Sequence, residues 1–142
     1  MQKLYRLLLI VLLAGIYSSC GKESEQGQIP YKYVNFSINP ASIEFGSLNI
    51  PGNWAYVTGG YRGIVIYHAS QDNYFAFDRA CTYDWDQDCA QVKVDDDNII
   101  ARCPCCESQY LLTDGSPFDG PAIRSLRQYT THYDGNLLHV SN

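Results

Sequence analysis

Five cysteines fall between positions 81 and 106, and three of them crowd into Cys103-Pro104-Cys105-Cys106. Sulfurs at this density bind a metal, pair as disulfides, or do both, and each outcome requires particular loops to meet in space. Cys81 follows an apolar run ending at Phe77-Asp78, and Cys103 follows another ending at Arg102. Between them lies the hairpin pattern Gln91–Val94 / Ile99–Arg102, turned on Asp95-Asp96-Asp97-Asn98. A hairpin returns the chain to its start, so the two cysteine loops are expected side by side at one end of a small sheet.

The rest of the chain supports an all-β class. Tyr33–Ile38 alternates with period two, and Trp54–Val57 lies between the turn signals Pro51-Gly52 and Gly59-Gly60. Gly63–His68 and Tyr74–Phe77 are rich in β-branched and aromatic residues. A second hairpin, Tyr129–Tyr133 / Asn136–Val140, closes on Asp134-Gly135, a strong type I′ signal. No segment carries a convincing helical period. The expected fold is a small antiparallel β-sandwich or barrel with a cysteine-bearing loop subdomain.

The N-terminus is a separate matter. Lys3 and Arg6 precede the ten-residue apolar run Leu7–Ile16, too short to span a bilayer comfortably and suited to a signal peptide over 1–19. Tyr17-Ser18-Ser19-Cys20 resembles a bacterial lipoprotein box, with Cys20 lipidated. Residues 20–30 then read as a flexible tether and 31–142 as the domain. The expected location is the bacterial cell envelope, anchored to the outer membrane through Cys20, which puts the other cysteines in an oxidising compartment. Loss of Lys3 and Arg6 would take the formal charge from −5 to −7, which argues against nucleic acid as a partner.

Three motifs in order carry a family resemblance. Cys103-Pro104-Cys105-Cys106-Glu107-Ser108-Gln109-Tyr110 resembles the second cluster loop of Rieske iron–sulfur domains, usually Cys-Pro-Cys-His-Gly-Ser-x-Phe. Cys81-Thr82-Tyr83 resembles the first loop, usually Cys-x-His. Gly120-Pro121-Ala122 through Leu126 is similar to the proline loop that covers the cluster. The resemblance spans about Asn35 to Val140 and implies a Rieske-type sandwich, a 2Fe–2S cluster and electron transfer with a redox partner protein.

By position, the resemblance makes Cys81 and Cys103 metal ligands. It puts Tyr83 and Cys106 where the family has histidines, and it pairs Cys89 with Cys105 as the disulfide between the loops. Histidine ligands raise the potential of such a centre to about −150 to +300 mV, against about −400 mV for plant-type all-thiolate clusters. Thiolate in a histidine's place would lower it. His68, His132 and His139 all lie on expected strands, away from both loops.

Several arrangements of the sulfurs stay open at this level. One is a 2Fe–2S centre on Cys81, Cys103 and Cys106, completed by Cys89, Tyr83 or solvent. A second is a zinc or iron ion on Cys81, Cys89, Cys103 and Cys106. A third is a cluster-free envelope module with Cys81–Cys103 and Cys89–Cys105 disulfides. The last is redox chemistry of the vicinal pair Cys105-Cys106. The resemblance implies a carrier rather than an oxygenase, because a single cluster domain comes with no substrate domain, and a binding module is the competing expectation; no nucleophile–base order, phosphate loop or carboxylate pair stands out. The aspartates at 84, 86 and 88 and at 95–97 read as solvated loops rather than as a calcium site.

Overall fold

The computed structural model describes residues 28–142. The expected signal segment and Cys20 lie outside the described residues. Ten strands form: β1 (Asn35–Ile38), β2 (Trp54–Val57), β3 (Ile64–Ser70), β4 (Asn73–Asp78), β5 (Lys93–Val94), β6 (Ile100–Arg102), β7 (Gln109–Leu111), β8 (Pro117–Asp119), β9 (Gln128–Tyr133) and β10 (Leu138–Ser141). The only helical turn among the described residues is a short 3-10 segment, Gly46–Asn49. None of the described helices is long and apolar enough to cross a membrane.

The strands make two antiparallel sheets. The larger runs β1-β10-β9-β4-β3-β2 and the smaller β5-β6-β7-β8. The all-β expectation holds, with both hairpins in place. The cysteine loops leave the ends of β4 and β6, so β5–β8 form the loop subdomain.

Strand β3 shows how the layers are held. Residues Ile64–His68 are all buried, so both faces of this strand meet apolar partners. Val65 and Tyr67 pack with Phe77, Val92, Tyr110, Leu112 and the buried cysteines. Ile64 and Ile66 point the other way, to Leu48, Tyr129, Leu138 and Val140. The period-two geometry of a strand thus splits one sequence run between two cores. One core lies beneath the small sheet, and the other lies with the β9–β10 hairpin and the 3-10 turn.

Asp78, at the end of β4, is fully buried. Its carboxylate accepts hydrogen bonds from the Tyr61, Arg62 and Ala80 N–H groups and from the Tyr129 hydroxyl, at 2.6–3.1 Å. A buried charge needs this degree of satisfaction. Gly60 approaches so closely that a Cβ there would sit 2.5 Å from the carboxylate oxygen. Asp78 thereby fixes the direction in which the first cysteine loop departs. Close by, where the Asp78 N–H donates to the Arg127 carbonyl at 2.8 Å, Ile29 is buried and the Arg127 guanidinium donates to the Ile29 and Pro30 carbonyls, so the chain docks before β1 begins.

Candidate metal centre

The first loop is pinned at its base. Val92 N–H donates to the Arg79 carbonyl at 2.7 Å, and Cys81 N–H to the Ala90 carbonyl at 2.9 Å. The second loop folds on itself, with Cys103 N–H donating to the Ser108 carbonyl and Glu107 N–H to the Cys103 carbonyl, each at 2.9 Å. Glu107 takes a left-handed conformation, φ +62°, at the position that is glycine in the resembling motif. A non-glycine residue there carries backbone strain of order 1 kcal/mol. The third loop lies against the second. Gly120 has φ +87°, and a Cβ on it would stand 2.6 Å from Ser108 Cα. Ala122 N–H donates to Ser108 Oγ at 3.0 Å.

Cys89 and Cys105 form a disulfide that ties the first loop to the second, with Cα atoms 5.4 Å apart. This pairing matches the one implied by the resemblance. It also removes Cys89 from the candidate ligands, because a disulfide sulfur is not a thiolate. The four-thiolate arrangement therefore lacks its fourth sulfur. Cys105, likewise engaged, is not paired with its neighbour Cys106.

The other three sulfurs are free and converge. The Sγ atoms of Cys81, Cys103 and Cys106 all lie within 4.8 Å of one another. Cys81 and Cys103 are fully buried and remain thiols rather than a second disulfide, while Cys106 is half-buried. Cys81 Sγ stands 3.5 Å from Cys106 Sγ and 3.3 Å from the Tyr110 hydroxyl, and Cys106 Sγ stands 3.1 Å from Ser108 Oγ.

The electrostatics favour anionic sulfur at one point and oppose it at the next. A hydrogen bond with Cys103 holds the Cys81 thiol down to about 5. The Tyr110 hydroxyl and the Asp84 and Tyr83 N–H groups assist, against burial. The same contact with Cys81, followed by burial, pushes Cys103 well above the ordinary thiol range, although the Cys106 and Cys105 N–H groups oppose this. Burial raises Cys106, with Ser108 partly offsetting it. Three thiolates within 4.8 Å of one another would repel, so holding all three as anions requires a positive charge among the sulfurs.

Tyr83, two residues after Cys81 in the first loop, is 39% exposed, and its backbone is among the groups that lower the Cys81 pKa. The three histidines stay on the large sheet. His68 stacks on Tyr74 in the core at 4.3 Å, and His132 faces His139 across β9 and β10. The acidic loops are turn chemistry: Asp97 accepts from Ile99 and Ile100 N–H, and Asp95 pairs with Arg102 at 3.0 Å.

Sequence reasoning missed Tyr110. Its hydroxyl, on the fully buried central residue of β7, lies 3.3 Å from Cys81 Sγ and 3.1 Å from Thr82 Oγ1, and it accepts the Thr82 N–H at 3.2 Å. Thr82 in turn donates to the Arg124 carbonyl at 2.7 Å, joining the first loop to the third. The available signal was a tyrosine in an otherwise apolar slot, since a buried tyrosine hydroxyl needs a polar partner.

No protein-family model matches the sequence, and no curated protein matches it. Among solved structures, the chain resembles the plasma membrane Rieske protein of the cyanobacterium Synechocystis PCC 6803. The TM-score is 0.56 and the identity 24%, covering 77% of this chain and 99% of that one. It also resembles a chain in the complex of reduced oxygenase and oxidized ferredoxin of carbazole 1,9a-dioxygenase, with a TM-score of 0.50 and 16% identity, covering 81% of this chain and 94% of that one. The fold is Rieske-like.

A Rieske 2Fe–2S cluster carries two cysteines on one iron and two histidines on the other. This Rieske-like tip offers no histidine. The third sulfur also sits beside the first two rather than across from them. Two thiolates on one tetrahedral ion, each about 2.3 Å from it, lie about 3.8 Å apart. The 3.5 Å between Cys81 and Cys106 is close to that figure. Ligands to two different irons are separated by the added width of the cluster. As arranged, the trio fits one metal ion better than the usual Rieske cluster.

Proposed function

We propose that this chain is a lipid-anchored bacterial envelope protein in which a Rieske-like scaffold holds a thiolate-bound metal for one-electron transfer to a partner protein. The observation that carries the reading is the convergence of Cys81, Cys103 and Cys106, with the Tyr110 hydroxyl 3.3 Å from Cys81 Sγ and the Ser108 hydroxyl 3.1 Å from Cys106 Sγ. Hydroxyl donors at these distances stabilise thiolate and therefore metal-bound sulfur. Anchoring rests on the Cys20 lipoprotein box. The role as a carrier rests on the likeness to Rieske-fold structures and on electron transfer as the family-level role of a single such domain.

Two other occupancies compete. The scaffold favours a 2Fe–2S cluster, which would need Cys106 to swing away from Cys81 and a fourth ligand from Tyr83 or solvent. The Cys89–Cys105 disulfide favours a cluster-free structural or binding module, because it already ties the loops together without metal. Anaerobic reconstitution with iron, with and without sulfide, followed by metal analysis, visible spectra and EPR, separates them. The proposal expects tightly held iron with thiolate-to-iron absorption that bleaches reversibly on reduction. Colourless, iron-free protein would overturn it. Thiol counting by mass spectrometry on native protein adds a check: two disulfides and a single free thiol would identify the cluster-free module.

A further inference from the structure

The geometry points to a single thiophilic ion, iron where the site carries electrons and zinc or cobalt as its probes, bound by Cys81, Cys103 and Cys106, with its fourth coordination position left to a ligand from outside the chain. This rests on reading the tip as a thiolate metal site, and it specifies what kind of site that is.

Three observations carry it. The first is spacing: the three sulfurs share one locus, all within 4.8 Å of each other, and Cys81 and Cys106 stand 3.5 Å apart, near the about 3.8 Å between two corners of a thiolate tetrahedron. The second is that neighbouring donors are already engaged. Cys89 is in the disulfide, the Tyr110 hydroxyl is bonded to Thr82, and Ser108 Oγ accepts the Ala122 N–H. No carboxylate or imidazole joins the group among the described residues. The third is exposure: Cys81 and Cys103 form a sealed floor, whereas Cys106 is half-open. The missing vertex therefore lies towards the Cys106 side, where solvent or a small donor can reach it. Structural zinc sites close all four positions with protein ligands, and sites that exchange a ligand keep three. This trio is of the second kind, and its all-thiolate character selects soft metals over magnesium or calcium.

The test uses the full mature chain, anaerobically, with Zn2+ and Co2+ as probes. The expected result is one ion per chain and a thiolate-to-cobalt band whose strength corresponds to three sulfurs. The cobalt visible bands should shift when imidazole or a small thiol is added. Cys106→Ser should remove about a third of that band, one sulfur of three. It should also weaken binding by more than the about 10–100-fold typical of losing an outer-shell partner. Tyr83→Phe, on an exposed side chain, should leave the spectrum unchanged even if the Cys106 variant fails to fold.

A cobalt spectrum indifferent to added ligand, or one altered by Tyr83→Phe, would overturn the open position. Two irons and two sulfides per chain after reconstitution would overturn the single ion while leaving the electron-transfer reading standing. Zinc and cobalt bound as expected but iron refused would sustain the single ion and sink electron transfer. Refusal of every metal by protein with three free thiols would overturn both.

Discussion

The two cores on either side of β3 and β4 are made of different materials. The core next to the β9–β10 hairpin is mainly aliphatic and aromatic, with Leu48, Ile64, Ile66, Leu138 and Val140 almost wholly removed from water. The core beneath the small sheet mixes Phe77 and Leu112 with Cys81, Cys103 and several alanines, and it is cross-linked by Tyr110, Thr82, Ser108 and a disulfide. The first is held by apolar burial, which is non-directional and scales with area. The second is held by directional contacts that place specific atoms. The stability of the domain and the precision of its site thus reside in opposite halves.

Truncation of the aliphatic half should produce the largest loss. Leu138→Ala leaves a cavity at a fully buried position and is expected to cost about 2–5 kcal/mol. Thermal unfolding should register it fully. Below the transition, the free-thiol count and metal uptake at the tip should match the parent protein. A metal defect in folded Leu138→Ala would show that the two halves are coupled more tightly than their materials suggest.

The disulfide gives the next largest effect. Cys89→Ser with Cys105→Ser opens a loop of 16-residue separation, for which the chain-entropy account gives about 3 kcal/mol. The loss should be uneven: amide exchange should rise in β5–β8 and change little in β9 and β10. Uniform exchange across both sheets would mean that the disulfide stabilises the whole domain rather than the tip. Gly120→Ala should follow, at roughly 1–3 kcal/mol, because it combines φ +87° with a Cβ driven against the Ser108 backbone. Its mark should be impaired metal uptake in a domain that still folds.

The contrast between the halves also governs what the sequence revealed. The aliphatic half was legible because its strands are long enough for period-two patterns, and Asp134-Gly135 announces its hairpin. In the other half, β7 and β8 have three residues each and escaped notice. Gln109–Leu111 and Pro117–Asp119 become strands only through pairing with each other and with β6. The 3-10 turn at Gly46–Asn49 escaped for the same reason, being too short to show a period. Cys81 and Cys103 were legible as loop cysteines. The Cys89–Cys105 pairing was implied only by the family resemblance. The approach of Cys106 to Cys81 is a tertiary fact, set by the left-handed turn at Glu107 and the packing of Gly120, and local sequence carries little trace of it.

The smallest effect returns to the aliphatic half and isolates an exposed electrostatic device at its hairpin turn. Asp134 Oδ1 accepts the Asn136 and Leu137 N–H groups at 2.9 and 2.7 Å, and Oδ2 meets His139 Nε2 at 3.2 Å. These contacts, the Leu137 N–H foremost, hold the Asp134 carboxyl down to about 2. A carboxylate whose folded pKa is depressed stabilises the fold above its unfolded pKa, about 3.9, and loses that contribution as pH falls through the folded value. The melting temperature should therefore decline between about pH 4 and pH 2. Asp134→Asn keeps an acceptor for the turn but cannot titrate, so the gap between parent and variant should close across that window. Because the carboxylate is exposed, added salt should narrow the gap at neutral pH. A gap that is constant with pH would assign the turn's preference to the amide-compatible hydrogen bonds alone, leaving no electrostatic contribution from Asp134 at this turn.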